Sequence, residues 1–249
     1  YWAMSIIILC LLTICIPLIV TSTQNYIRSI HTYKKLQALQ EVTVLANKIS
    51  RERAPANKLM SSTTADFEQH QQDLAEYRYT VNQQLEHTAT VLKNVGLVQL
   101  SEHLYSDVKV SLNQGRQKVD QYALIPKQQR SAHDLDQAIL AMFTAWERCR
   151  TLIHGVVVES DLSASSLNSY ITQIILLSDL RDQAGRVASN VMAHVTFGTP
   201  LPRDNLTRSL QTQHQVYYLW DLIATIQPQH HATPEFSQLH RNIENIFIQ

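Results

Sequence analysis

The front of the chain limits everything that follows it. No residue from Trp2 to Ser22 is charged, and Ile6–Leu9 and Leu11–Val20 are almost wholly aliphatic. About 20 residues at 1.5 Å each cross a ~30 Å hydrocarbon layer, so this run predicts a transmembrane helix. Helical spacing continues beyond it: Leu39, Val42, Ala46, Ile49, Arg53, Ala56 and Met60 alternate by three and four, which is a heptad seam. One member of the seam is charged. A guanidinium against a helix core is costly unless an acceptor meets it, so Arg53 calls for a carboxylate such as Glu52, another side chain of the bundle, or an anion from solution.

The remainder predicts helices. Gly (5) and Pro (7) are scarce in 249 residues, which favours helix over sheet. A turn at 61–66 precedes a second helix at about 66–94, with Gly96 as its cap. A third spans about 101–124, weakened around Asn113-Gln114-Gly115, and a fourth starts at the Ser131–Asp134 capping arrangement. With the first helix these make a four-helix bundle. Val156–Val158, the one β-branched run, is assigned to a helix end because no second strand is available to pair with it. Residues 160–166 form a joint. A fifth helix follows at about 163–196, a sixth at 203–226 and a last one from Pro234.

The expected fold class is therefore all-α: an N-terminal transmembrane helix continuing into tandem antiparallel helical bundles. Residues 1–24 form the membrane helix, 25–159 the first bundle and 160–249 a second. That second bundle is expected to stop short of a further helix and a second transmembrane segment.

Enzyme chemistry has little to stand on. The eleven histidines form no HExxH and no His-x-x-x-His pair, and there is no phosphate-binding glycine loop or GxSxG elbow. No metal or cofactor is expected. Zero formal charge without a basic run argues against nucleic acid as a partner. Cys149 lies on an apolar helix face, where a small buried hydrophobe is the expectation. Asn205-Leu206-Thr207 is a formal glycosylation sequon.

The arginines are the stronger signal. In the fifth helix Ile171, Ile174, Ser178, Arg181, Gly185, Ala188, Met192 and Val195 repeat the three-four alternation, with an arginine again in the seam. Guanidiniums pointing inward from two helices would form a pocket for an oxyanion or carboxylate. The competing reading pairs each with a local acid, Glu52 or Asp182.

Two stretches carry a family likeness. Ile49-Ser50-Arg51-Glu52-Arg53-Ala54-Pro55-Ala56-Asn57-Lys58-Leu59-Met60 resembles the E-R-G-P-A-N signature of bacterial receptor input domains related to the nitrate- and nitrite-sensing helical class, with Ala54 where glycine is usual. Leu180-Arg181-Asp182-Gln183-Ala184-Gly185-Arg186, followed by Phe197-Gly198-Thr199-Pro200-Leu201, is similar to the L-R-D-x-A-G-R…G-x-P-L pattern of the same class. The resemblance implies an extracytoplasmic all-helical sensor in the bacterial inner membrane, its soluble part in the periplasm, acting as a homodimer. It also implies an output domain beyond this chain: a GGDEF diguanylate cyclase, a chemoreceptor rod or a histidine kinase. In the nitrate-sensing relatives arginines of these two regions hold the anion. By motif this points to Arg53 and to Arg181 or Arg186, and helical position favours Arg181 as the inward one. The charges after the apolar run, Arg28, Lys34 and Lys35, would by themselves place the soluble part in the cytoplasm.

The expected function is that of a sensor, not an enzyme: a small anion (nitrate, nitrite or a carboxylate) bound between helices near Glu52, Arg53, Arg181 and Arg186. The alternative is a membrane-anchored interaction or dimerisation module with no small-molecule pocket. A third reading, a eukaryotic membrane-tethered protein glycosylated at Asn205, rests on the sequon alone.

Overall fold

The structure, a computed structural model, describes residues 2–62, 65–160, 167–226 and 238. Its longest element, α1, runs unbroken over the 60 residues Trp2–Ser61, about 90 Å at 1.5 Å per residue. The predicted seam is buried throughout: Leu39, Val42, Ala46, Ile49, Arg53, Ala56 and Met60 are all at most 5% exposed. Burial begins only at Ala38. Residues 15–31 of the helix lie exposed outside the bundle, with Leu18 and Ile19 each 63% exposed. Among the described residues no helix is long and apolar enough to cross a membrane. The side chains of residues 3–12 and 14, most of the apolar run, lie outside the described set.

Helix α2 (Phe67–Asn94) packs along α1 through Leu74, Val81, Leu85 and Leu92. The expected third helix begins earlier than predicted and has three parts: α3 (Val98–His103), a π-helical segment (Leu104–Lys109) and α4 (Val110–Ala123). The irregularity falls at 104–109, not at Asn113-Gln114-Gly115. Leu100, Leu104, Val108 and Leu112 are buried at successive four-residue spacings, and each such step drifts by about 40° on a 3.6-residue helix. The wider π turn absorbs the drift. Gly115 is a contact point instead: a Cβ there would lie 3.0 Å from the Ala141 carbonyl oxygen, so glycine lets α4 approach the backbone of α5 (Ala132–Glu159). The Ser131 Oγ caps α5 by accepting the Asp134 amide at 3.1 Å.

Helices α6 (Asn168–Phe197) and α7 (Arg203–Ile226) form a hairpin. Helix α6 packs on both α1 and α5, so the hairpin is laid against the first bundle and shares its core: Ile171 and Ala193 belong to the same apolar clusters as α1. Residues 161–166 of the expected joint and, apart from Gln238, the predicted helix from Pro234 lie outside the described residues.

Along α1 the apolar interior falls into two clusters, one ending at Ile49 and the other starting at Ala56. Between them the helix buries Ser50, Glu52 and Arg53. The bundle is thus interrupted by a belt of charge.

Candidate functional site

Glu52 and Arg53 are adjacent in sequence, so on a helix their side chains diverge by about 100°. The two halves of the belt follow from that. Glu52, fully buried, faces α2 and α4 and takes a fork from Arg116, with Nε–Oε1 and Nη2–Oε2 both 2.7 Å; Arg78 Nε lies 3.4 Å away. Arg53, 5% exposed, faces α6. Glu52 is therefore not the partner of Arg53, and its carboxylate points away from the arginines of α6.

The partner of Arg53 is Asp182, fully buried on α6. Arg53 Nη2 donates to Asp182 Oδ1 at 2.8 Å and to Ser50 Oγ at 2.8 Å, while Nε donates to the Ser50 carbonyl at 3.1 Å. The other carboxylate oxygen of Asp182 accepts from Arg186 Nε at 2.6 Å, one helical turn on. Both guanidiniums also approach the Phe143 ring of α5, at 5.1 Å for Arg53 and 4.4 Å for Arg186, a distance at which the ring face attracts a cation. One carboxylate thus serves two cations, the buried Arg53 and the 12% exposed Arg186, and the balance is supplied from the rim by Glu147, 2.9 Å from Arg186 Nη1.

The compensation is incomplete. Burial lowers the pKa of Arg53 and Asp182 opposes that shift, with Arg186 pressing it down again. Arg53 Nη1 and Arg186 Nη2 are buried with no hydrogen-bond partner among the described residues. An unmet buried donor costs about 1–3 kcal/mol, more when charged, so both positions would gain from an incoming acceptor.

Arg53 also lines a groove of about 390 Å³ between α1 and α6, together with Arg51, Ala54, Arg181, Gly185 and Met192. Three of its walls are cationic and none of its lining residues is acidic. Gly185 is what lets Arg53 lie against α6, since a Cβ there would fall 2.8 Å from Arg53 Nη2. Arg181 stands on the exposed rim and donates to the Asn47 carbonyl and Oδ1 at 3.0 and 2.8 Å. Its pKa is lowered by partial burial and then by Arg51.

The expectation that Arg181 points inward and Arg186 outward is reversed. From Ser178 onward the buried positions of α6 include Asp182, Ser189 and Ala193, each one residue after the expected Arg181, Ala188 and Met192, or about 100° around the helix, together with Asp179, Leu180, Asn190 and His194. Asp182, one of the two acids the competing reading offered, is the hub that pairs with both Arg53 and Arg186, although apolar spacing did not place it inward. The Asp182–Arg186 pair at i,i+4 was the available signal.

A second polar tie holds the hairpin. Arg208 Nη2 of α7 donates to both carboxylate oxygens of Asp136 on α5, at 2.9 and 3.1 Å, and Asn205 Nδ2 donates to Asp136 Oδ1 at 3.0 Å. Asn205 is only 5% exposed. The sequon amide is thus consumed in packing, which removes the basis for glycosylation there. Compared with protein-family models, curated proteins and solved structures, the chain matches none of them.

Proposed function

We propose that this chain is the ligand-sensing helical input domain of a bacterial membrane receptor, taking a small anion or carboxylate in the groove between α1 and α6. The observation that carries the reading is Arg53: a buried guanidinium with an unpartnered Nη1, lining a groove whose charged residues are all arginines. An incoming oxyanion competes with Asp182 for Arg53, and Asp182 keeps Arg186 as its remaining partner. The exchange alters the packing of α6 on α1 by as much as the ligand's differential affinity for the two arrangements, typically ~1–3 kcal/mol.

Helix α1 carries the response. It is continuous from the groove to Trp2, so a shift at Arg53 is passed along a rigid rod toward the apolar run, which in this reading is the membrane anchor of an inner-membrane protein. The sensor lies in the periplasm, works as a homodimer and controls a cytoplasmic output such as a diguanylate cyclase. These last features rest on the sequence resemblance.

Thermal denaturation of the full chain in nitrate, nitrite, acetate or chloride at matched ionic strength tests the reading. A ligand at a hundred times its Kd stabilises by about 2.7 kcal/mol. One of the first three should raise Tm above the chloride value in the wild type and leave Arg53→Met unmoved. Equal responses from both proteins would rule it out.

A second reading, a helical interaction module, is favoured by the apolar residues exposed on the hairpin: Tyr170 (61%), Val195 (74%) and Tyr218 (66%). It predicts no anion dependence in the same experiment.

A further inference from the structure

On the other side of Asp182 lies a second groove, about 390 Å³, between α5, α6 and α7. Its chemistry differs from that of the first. Two arginines and two carboxylates line it, Arg150, Arg186, Glu147 and Asp179, with Trp146 and Tyr218 as aromatic walls. A free anion meets as much repulsion there as attraction. A molecule carrying both charges does not.

The unmet groups say where each end goes. Trp146 is 2% exposed, and its Nε1–H has no acceptor among the described residues; neither does Arg186 Nη2. The Arg186 guanidinium carbon lies 5.4 Å from the Trp146 ring centroid, so the two side chains that carry these unmet donors are neighbours in the wall of the groove. Glu147 has the complementary vacancy: Oε1 accepts from Arg186, while the side chain is 56% exposed, leaving Oε2 open to a cation. The Arg150–Asp179 fork, 2.7 and 2.8 Å, holds the rim, and Tyr218, 66% exposed, offers a flat face to the body of a ligand.

We infer that the groove between α5, α6 and α7 is a second binding site, for a small zwitterion of the α-amino-acid class, its carboxylate on Arg186 and Trp146 and its ammonium on Glu147. The site does not depend on an anion binding between α1 and α6, because its orphaned donor Trp146 and its acceptor Glu147 do not line that groove. It gives the hairpin a ligand of its own, joined to the first groove through the shared Asp182.

Calorimetric titration of the full chain, kept in detergent, with each of the twenty common amino acids and glycine betaine tests this. At least one should bind saturably. Glu147→Gln keeps an acceptor for Arg186 but removes the charge that meets the ammonium, and should weaken that binding about tenfold or more. Melting curves of wild type and variant taken alongside ensure that binding is compared between folded proteins, since Glu147 also pairs with Arg186. Arg181→Ala, in the first groove only, should leave the affinity unchanged. No saturable heat with any of these probes overturns the inference, as does binding undiminished by Glu147→Gln. Binding lost in Arg181→Ala also overturns it, since the ligand then sits between α1 and α6.

Discussion

Arg53 Nη2 occupies the space that a side chain at position 185 would need: a Cβ built on Gly185 lies 2.8 Å from it. The same nitrogen holds Asp182 Oδ1 and Ser50 Oγ, each at 2.8 Å. Gly185→Ala therefore sets two effects against each other. Helix propensity favours alanine by about 1 kcal/mol, whereas loosening the Arg53–Asp182 pair forfeits part of the about 3–5 kcal/mol that breaking such a pair costs. Urea denaturation should show a net loss of about 1–3 kcal/mol. A stabilised Gly185→Ala variant would mean that the guanidinium is not held where it lies.

Asp182 is the one carboxylate bonded to both Arg53 and Arg186. Asp182→Asn keeps the shape and removes the charge, leaving Arg53 and Arg186 without the carboxylate they share. The expected loss is about 3–5 kcal/mol in denaturant unfolding. Arg53→Met combined with Asp182→Asn should lose less than the sum of the two single changes, because the residues are in contact.

Glu52 separates fold from function. Its fork with Arg116 is buried on the α2–α4 side, away from the α1–α6 groove. Glu52→Gln should destabilise by about 3–5 kcal/mol while leaving anion affinity in the still-folded protein unchanged. A loss of affinity matching that of an Arg53 substitution would return Glu52 to the ligand site.

Cys149 is fully buried, and burial pushes its thiol up to about 12 from the ordinary value of 9.0. At neutral pH it should resist a thiol reagent such as dithionitrobenzoate until the chain unfolds, since the thiolate is the nucleophile. A folded pKa above the unfolded one favours the protonated state. The stability linked to this thiol is therefore present below about pH 9 and lost as pH rises toward about 12. Rapid labelling of the folded protein at neutral pH would contradict the packing of α5 on α1.

What could be read from the sequence depended on how many neighbours each helix has. The seam of α1 from Leu39 to Met60, with Arg53 as its one charged member, was legible position by position, whereas the burial of Glu52 beside it was not. Helix α6 is enclosed by α1 and α5 on one side and α7 on the other. Its buried set therefore includes Ser178, Asp179, Asp182, Ser189 and Asn190, polar residues that apolar periodicity passes over. The apolar seam members Ile174 and Val195 are 37% and 74% exposed, which is why the predicted face is rotated from the buried one. The π segment was legible in hindsight from four-residue spacings at Leu100–Leu112. Asn205 shows the converse: a motif that names a surface amide but is spent in a buried network.

The central claim is that Arg53 has bonding capacity left for a ligand that Asp182 does not satisfy. Isothermal titration of the full chain with nitrate, nitrite and small carboxylates, comparing wild type with Arg53→Met and Arg181→Ala, tests it most directly. The account predicts saturable binding of at least one of these anions by the wild type, weakened about ten- to hundredfold in Arg53→Met and measurably in Arg181→Ala. Equal affinity in all three proteins, or no binding by the wild type, would contradict it.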